Sequence, residues 1–174
     1  MNDWAVAGAA RDRQSITSDW EFTAAKRIDG VIVREVKNVP KGDGYLVELY
    51  RSDWGLDQKG IDQVFVVSHL PGAISAWHAH PHTTDRLFVA QGMARIVLYD
   101  GRRDSPTYGE INEIKMGILR PVLVVVPPKI WHGVQNLGED SALVVNMVDR
   151  AYEYTDPDHW RVPSDSSEIP YQWE

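Results

Sequence analysis

Residues 72–92 read GAISAWHAHPHTTDRLFVAQG, and this stretch decides the fold of the chain. It places three of the six histidines, His78, His80 and His82, between two apolar runs. Side chains of an extended strand alternate between its two faces, so His78 and His80 share a face, and His82 joins them if the strand continues past Pro81. Packing alone rarely requires two neighbouring imidazoles inside a strand. The stretch therefore predicts a strand that carries a functional site.

Short β-rich runs lie on both sides of this stretch, and Gly, Pro, Asp or Asn separate them. They are VIVREV (31–36), YLVELY (45–50), QVFVVSHL (63–70), MARIVLYD (93–100), INEIKM (111–116), PVLVVVPP (121–128) and ALVVNMVD (142–149). Between the second and third runs, DWGLDQKG predicts a single helical turn that ends at Gly60. About nine short strands with almost no helical pattern predict an all-β antiparallel sandwich or barrel, of which a jelly roll is one form.

The 174 residues suffice for one well-buried domain. Residues 1–30 are polar and unpatterned apart from a short predicted helix over Trp20–Arg27, and we interpret them as an N-terminal arm. Residues 31–174 form the single predicted domain. Its last part, Tyr152–Glu174, is rich in aromatic, proline and acidic residues and is predicted to close one mouth of the barrel.

Composition narrows the classes of function. The chain has no cysteine, which excludes disulfides, thiolate nucleophiles and cysteine metal sites. A net charge of −7 argues against nonspecific nucleic-acid binding, whereas an anionic small ligand can still bind a local arginine pocket. No apolar run is long enough for a bilayer and no signal peptide is recognisable, so we expect a cytoplasmic protein with no membrane partner.

Two half-motifs lie about fifty residues apart in the sequence. Their members are Gly72, His78, His80, Asp85 and Gly92 in the first, and Gly117, Pro127, His132 and Asn136 in the second. Together they resemble the two sequence motifs of the cupin superfamily, with Asp85 where Glu is usual and Lys129 where a turn glycine is usual. The resemblance implies a double-stranded β-helix, the cupin jelly-roll barrel, in which the imidazoles of the two motifs converge.

This resemblance leaves two interpretations of the converging side chains open. In one, His78, His80, Asp85 and His132 bind a divalent ion such as Zn, Fe, Mn or Ni and leave one or two coordination positions for a substrate. The protein is then a metal-dependent enzyme or a small-ligand binding module. In the other, the same groups line a ligand cavity and hold no ion.

A narrower resemblance extends from about Val39 to the C-terminus. Three segments show this resemblance: LYDGRRDSPTYG (98–109), PPKIWHG (127–133) and DHWRVPSDSSEIPYQW (158–173). They are similar to dTDP-4-dehydrorhamnose 3,5-epimerase and related dTDP-sugar isomerases. The resemblance implies a homodimer that binds a nucleotide-sugar and epimerises a 4-keto-6-deoxy sugar on dTDP without a cofactor.

The epimerase resemblance also implies roles for individual residues. A C4 ketone acidifies the neighbouring C–H bonds, so a general base removes a proton and an acid returns one from the opposite face. His78 matches the family's base, and Asp165 matches the aspartate that orients it. Among the substrate-binding residues, His132 matches a cavity histidine and Arg102 a basic position. We add two further residues. His80 shares the strand face of His78. Arg86 is adjacent to Asp85, the position at which the family has a lysine in the substrate pocket, and Arg86 can take the place of that lysine.

The chain departs from the family pattern at further positions. Ser75 stands where an arginine helps to bind the diphosphate, and the proton-donating tyrosine falls near Val145. Tyr152 and Tyr154 lie close in sequence, but a strand's alternation does not let them replace Val145 without a change of register. The general acid is therefore not identified, and a noncatalytic sugar-binding protein is a further alternative.

The remaining histidines and two tryptophans receive structural interpretations. His69 and His82 are expected on the surface or in loops. Trp77 and Trp131 each precede a cavity histidine, so they point to the opposite face of their strands and are expected to pack there.

Overall fold

The computed structural model describes residues 4, 6–12, 14–18, 26–57 and 59–174. Within this part, the chain forms twelve strands and one 3-10 turn, Ser52–Trp54, and has no helix long and apolar enough to span a membrane. The strands are β1 (Ile32–Glu35), β2 (Val39–Lys41), β3 (Gly44–Leu46), β4 (Gln63–His69), β5 (Ile74–Ala79), β6 (Asp85–Gln91), β7 (Met93–Tyr99), β8 (Ile111–Gly117), β9 (Val122–Val126), β10 (Trp131–Asn136), β11 (Ala142–Val148) and β12 (Trp160–Arg161).

Two five-stranded antiparallel sheets form the barrel. One has the order β1-β9-β6-β11-β4 and the other β12-β5-β10-β7-β8, while β2 and β3 form a separate hairpin. Branched residues fill the space between the sheets, among them Ile96 and Leu98 of β7 and Val122, Val124 and Val126 of β9. This double-sheet arrangement confirms the predicted all-β jelly roll.

The two histidine half-motifs are neighbouring strands. Strand β5 pairs with β10, and His78 is the direct register partner of His132. The register shifts between His132 and Val134, which marks a bulge beside the histidine. The strand ends at Ala79, so His82 does not continue the row begun by His78.

Several sequence predictions are wrong in detail. YLVELY is not one strand, because only Gly44–Leu46 pairs with β2, while Val47, Leu49 and Tyr50 pack against an apolar cluster instead. The predicted helical turn is a 3-10 turn that ends at Gly55, whose φ of 62° is left-handed, and not at Gly60. The helix predicted over Trp20–Arg27 lies mainly outside the described residues.

The C-terminal segment crosses the barrel. Strand β12 pairs with β5 and places Trp160 opposite Ala79 and Arg161 opposite His78. Beyond it, Trp173 packs 5.0 Å from the fully buried Trp77, measured between ring centroids. Trp77 therefore packs on the face opposite to its neighbouring histidine, as predicted, and the end of the chain covers it.

Candidate active site

A cavity of about 680 Å³ opens inside the barrel. Strand β5 contributes His78 to its wall, β6 contributes Asp85, and β11 contributes Val144 and Asn146. The C-terminal segment from Tyr152 to Arg161 forms much of the remaining wall. The predicted closing segment is therefore part of the cavity wall.

Four imidazoles meet beside this cavity: His78, His80 and His159 line it, whereas the buried His132 contacts them without being part of the cavity wall. The ring of His78 lies 4.1 Å from that of His132 and 5.3 Å from that of His159, measured between centroids. The ring of His80 lies 4.8 Å from that of His159. One nitrogen each from His78, His80 and His132 falls within 4.8 Å of the others. The predicted convergence of imidazoles from the two half-motifs is confirmed.

Backbone carbonyls determine the tautomers of two of these rings. Nδ1 of His80 hydrogen-bonds to the carbonyl oxygen of Asp158, and Nδ1 of His132 hydrogen-bonds to that of Ile130 at 3.0 Å. A carbonyl oxygen only accepts, so each Nδ1 carries the proton. The Nε2 lone pairs of His80 and His132 are therefore free to bind a cation or accept a proton.

Asp85 lies between these two nitrogens. Its Oδ2 is 3.7 Å from Nε2 of His80 and 3.6 Å from Nε2 of His132, while Nδ2 of Asn146 donates to its Oδ1 at 2.7 Å. The side chain of Asp85 is 3% exposed. A buried carboxylate faces two imidazole nitrogens at a separation beyond the range of an ordinary hydrogen bond.

Three buried ring nitrogens of the cluster have no hydrogen-bond partner among the described residues: Nδ1 of His78, Nε2 of His132 and Nε2 of His159. Burial lowers the pKa of His78 well below its ordinary value, and the neighbouring imidazoles lower it further. Burial also lowers the pKa of His132, although Asp85 opposes the effect, and lowers that of His159 to about 4. At neutral pH these rings are uncharged and can accept a proton or bind a metal.

The donor set fits a divalent metal ion. Ligand atoms that share a tetrahedral ion at about 2.0–2.2 Å lie roughly 3.3–3.6 Å from each other. The separations of 3.6 and 3.7 Å between Asp85 and the two imidazole nitrogens are close to that range. Neutral imidazole and carboxylate are also the donors that Zn, Fe, Mn and Ni accept in the absence of thiolate.

Sequence reasoning missed His159 and misjudged His69. His159 reaches the cluster because the carboxylate of Asp158 accepts hydrogen bonds from the backbone of His82 and from both the backbone and the hydroxyl of Thr83. No local pattern in the sequence indicates that His159 joins the cluster. His69 was expected on the surface, yet it is buried at the end of β4 and lines the cavity. His82 is exposed, as predicted.

Arg86 is not in the cavity, so its predicted contact with substrate is wrong. Strand β6 alternates, and Asp85 faces the cavity while Arg86 faces away from it. The guanidinium of Arg86 is fully buried and donates to both carboxylate oxygens of Asp57, at 2.9 and 2.7 Å, and to the carbonyl of Lys59. Arg86 stabilises the fold.

Arg102 is likewise bound within its own loop and does not line the cavity. Its Nε and Nη2 donate to Asp100 at 2.8 and 2.9 Å, and its Nη2 also donates to the carbonyl of Asp29. The predicted role of Arg102 in substrate binding stays a prediction: its charge is paired with the buried Asp100, and it borders a separate, smaller pocket beside Trp131 and Trp160.

The structure places Asp165 and Val145 away from the cavity. Asp165 is exposed on a turn after Pro163, is not part of the cavity wall, and makes no contact with His78. Val145 packs in the apolar cluster around Phe88 on the outer face of β11, whereas Val144 and Asn146 face the cavity. The cavity-facing positions of β11 therefore carry no phenol.

Comparison with known proteins adds a family to this geometry. The model of the family described as dTDP-4-dehydrorhamnose 3,5-epimerase matches residues 25–174. The Haloferax volcanii protein named "Probable low-salt glycan biosynthesis epimerase Agl13" is 33% identical over 147 residues, which cover 84% of this chain and 94% of that protein. The Bacillus subtilis spore coat polysaccharide biosynthesis protein SpsL is 34% identical over 146 residues, 84% of this chain and 96% of that protein.

A solved structure has the same fold. The crystal structure of a dTDP sugar isomerase from Desulfovibrio desulfuricans G20 superposes with a TM-score of 0.79 at 28% identity and covers 84% of this chain and 92% of the other.

Proposed function

Because the chain belongs to the dTDP-4-dehydrorhamnose 3,5-epimerase family of sugar-nucleotide epimerases, we propose that it epimerises or isomerises a nucleotide-linked 4-keto-6-deoxy sugar in this cavity. The observation that carries the proposal is the position of His78, an uncharged imidazole in the cavity wall with an unpartnered buried nitrogen. A general base must be deprotonated at the working pH, and the lowered pKa of His78 satisfies this requirement.

In the proposed reaction, His78 takes the proton from the carbon next to the ketone. The electrons of the broken C–H bond form a C=C bond, and the carbonyl oxygen gains the negative charge of an enolate. A proton delivered to the opposite face restores the ketone with inverted configuration, so the reaction consumes no oxidant or reductant. The general acid comes from another part of the cavity wall, because His159 lies too close to His78 for a sugar ring to fit between them.

We assign the acid to Tyr152. It lines the cavity from the C-terminal segment, and its backbone N–H donates to Oε1 of Gln63 on β4 at 2.9 Å. This contact anchors the residue at the side of the cavity formed by β4, away from β5 and His78. The phenol of Tyr152 therefore reaches the cavity from the C-terminal segment and not from position 145 on β11.

The test is exchange of solvent deuterium into a dTDP-4-keto-6-deoxy sugar, followed by NMR. The wild-type protein is expected to exchange the proton next to the ketone, and His78→Asn is expected to lose at least about 100-fold in rate, the contribution of a positioned base. Tyr152→Phe is expected to keep exchange and to lose formation of the epimer, because exchange requires only the base.

The matched control is His82→Asn, a change at an exposed histidine outside the cavity wall. It should leave the exchange rate unchanged. The proposal fails if no 4-keto-6-deoxy sugar nucleotide exchanges, or if His78→Asn and His82→Asn exchange equally fast. Thermal unfolding of each variant separates a lost base from a lost fold.

We also propose that the protein works as a homodimer through strand β4. This strand is the edge of its sheet, and its apolar residues Val64, Phe65, Val66 and Val67 are between 37% and 57% exposed. A long apolar edge strand is a template for pairing with another strand. Light scattering should give twice the chain mass, and Val66→Lys should give a monomer; a wild-type monomer would contradict the assignment.

A further inference from the structure

We propose that Arg161 of β12 is a catalytic residue, which donates hydrogen bonds to the enolate oxygen formed when His78 removes the substrate's proton. This inference rests on the proposed function, because it concerns the same deprotonation in the same cavity. Arg161 and His78 are distant in the sequence, and the pairing of β12 with β5 brings them together.

Arg161 and His78 lie directly opposite each other on these two antiparallel strands. The next pair, Trp77 and Val162, exchanges both backbone hydrogen bonds: the N–H of Trp77 donates to the carbonyl of Val162 at 3.0 Å, and the N–H of Val162 donates to that of Trp77 at 3.2 Å. Hydrogen-bonded and non-hydrogen-bonded pairs alternate along an antiparallel ladder, and side chains come closer in the second kind. Arg161 and His78 form a pair of the second kind, and directly opposite residues point to the same face of the sheet.

That face is the cavity side of the sheet. His159 and Arg161 line the cavity, whereas Trp160 between them does not, as the alternation of a strand requires. The positive charge of Arg161 acts on the neighbouring imidazoles. Burial is the main cause of the lowered pKa of His78 and of His159, and the charge of Arg161 lowers the pKa of both rings further. The guanidinium is therefore close enough to the base to act on the same substrate atoms.

The hydrogen-bond donors of Arg161 are available to a ligand. Within the described part of the chain, its side chain forms no ion pair and no hydrogen bond. Arg86 and Arg102, by contrast, are each paired with an aspartate. A guanidinium stays protonated at every physiological pH and can only donate hydrogen bonds. Arg161 therefore offers the cavity a permanent positive charge that no carboxylate of the described chain neutralises by direct contact.

The other charges of the cavity wall make a cation at this place important. Among the described residues, six carboxylates line the cavity together with two arginines and no lysine. The carboxylates are Asp62, Asp85, Asp149, Glu153, Asp156 and Asp158, and the arginines are Arg150 and Arg161. Carboxylates repel a developing enolate, so its formation requires a nearby positive charge. Arg150 follows the end of β11 in the other sheet, whereas Arg161 lies on the strand beside the base.

The proposed step assigns separate roles to the two side chains. The C–H bond next to the ketone breaks, its proton goes to the ring of His78, and its electron pair forms the C=C bond. The π electrons of the carbonyl move to its oxygen, which becomes negatively charged. The guanidinium of Arg161 donates N–H hydrogen bonds to this oxygen and keeps its own protons. The oxygen carries more charge in the enolate than in the ketone, so the interaction strengthens during the reaction and lowers the barrier.

The test uses the full chain and deuterium exchange into a dTDP-4-keto-6-deoxy sugar. Arg161→Gln should lower kcat for exchange about 100- to 1,000-fold, the effect of removing one oxyanion donor. KM should stay within about threefold of the wild-type value, because the interaction forms mainly in the transition state. Arg161→Lys keeps the charge and should lose less than Arg161→Gln. Arg103→Gln, at an exposed arginine outside the cavity wall, should exchange as the wild type does.

Two further measurements separate this role from a structural or a phosphate-binding role. Guanidinium chloride at low millimolar concentration should restore part of the exchange rate of Arg161→Ala, whereas sodium chloride at the same concentration should not. Calorimetric titration with dTDP should give Arg161→Gln an affinity within about threefold of wild type, because dTDP has no ketone and forms no enolate. Thermal unfolding of each variant checks that β12 and the barrel remain folded.

The outcomes distinguish this proposal from the proposed function. If the wild type exchanges no keto-sugar nucleotide, the epimerase function and the enolate role are both rejected. If the wild type exchanges and Arg161→Gln exchanges equally fast, the role of Arg161 alone is rejected. A raised KM and weakened dTDP binding with unchanged kcat would assign Arg161 to the diphosphate and overturn the enolate role.

Discussion

Two polar clusters lie on the same barrel and differ in how their hydrogen-bonding atoms are used. In the loop 100–109, the fully buried Asp100 accepts hydrogen bonds from Arg102, Ser105 and Thr107 at 2.6–3.0 Å. In the histidine cluster at the cavity, three buried imidazole nitrogens have no hydrogen-bond partner among the residues that the structure describes. Of these two clusters, only the one at the cavity has buried ring nitrogens without a hydrogen-bond partner in the described part of the chain.

We expect this difference to separate residues that stabilise the fold from residues that act on a ligand. Buried polar atoms are nearly always hydrogen-bonded in folded proteins, so a satisfied cluster needs no further partner. An unsatisfied cluster in a cavity wall marks a place where a ligand, ion or proton provides the missing interaction. Substitutions in the two clusters should therefore differ in their effects on stability and on exchange activity.

The largest effect is expected for Asp100→Ala. The substitution leaves the guanidinium of Arg102 and two hydroxyl groups without their shared acceptor, and the loss of these hydrogen bonds to a charged group together costs about 3–5 kcal/mol. Urea unfolding at neutral pH measures the loss. Exchange activity per folded molecule should not change, and a variant that is stable but inactive would assign the loop to the active site.

The stability that Asp100 contributes should depend on pH. Burial alone raises the pKa of this carboxyl, but the hydrogen bonds from Arg102, Ser105 and Thr107 outweigh it and hold the pKa well below its ordinary value. A carboxyl group whose pKa is lower in the folded state stabilises the fold fully at pH values above its unfolded-state pKa of about 3.9. This contribution decreases as the pH falls below that value. The difference in unfolding free energy between wild type and Asp100→Ala should therefore narrow below about pH 4; an unchanged difference would contradict this cause.

A smaller effect is expected for Arg102→Met. The side chain is 24% exposed, so water and salt screen part of its interaction with Asp100, and a loss of about 1–2 kcal/mol follows. KM for a sugar nucleotide should not change, because Arg102 does not line the cavity. A rise in KM with unchanged stability would support its predicted role in substrate binding.

The smallest change in stability is expected for His159→Gln. No hydrogen bond of its ring is lost, so the free energy of unfolding should stay within about 0.5 kcal/mol of wild type. Its ring nevertheless borders both His78 and His80, and the exchange rate should fall about tenfold if it helps to position the base. An unchanged deuterium-exchange rate would show that His159 does not help to position the base.

Much of the site could be predicted from local pattern. The i, i+2 spacing of His78 and His80 predicted one shared face, and the half-motifs predicted that His132 would meet them. Prediction failed where the partner of a side chain is distant in sequence. Arg86 was expected at the substrate, but its partner Asp57 lies 29 residues away. The rings of His159 and His80 are in contact although the two residues lie 79 positions apart in the sequence, and no local pattern connects them.

The sequence by itself determined the jelly roll and the histidine strands, because the alternation of apolar residues and the turn residues act over a few positions. Only the tertiary structure decided which polar groups are satisfied. Asp85 and Arg86 are adjacent charged residues. Asp85 faces the cavity, whereas Arg86 forms an ion pair with Asp57 on the opposite face of β6. Whether a buried donor or acceptor has a partner depends on strands that pair across the whole chain, and that pairing creates the site.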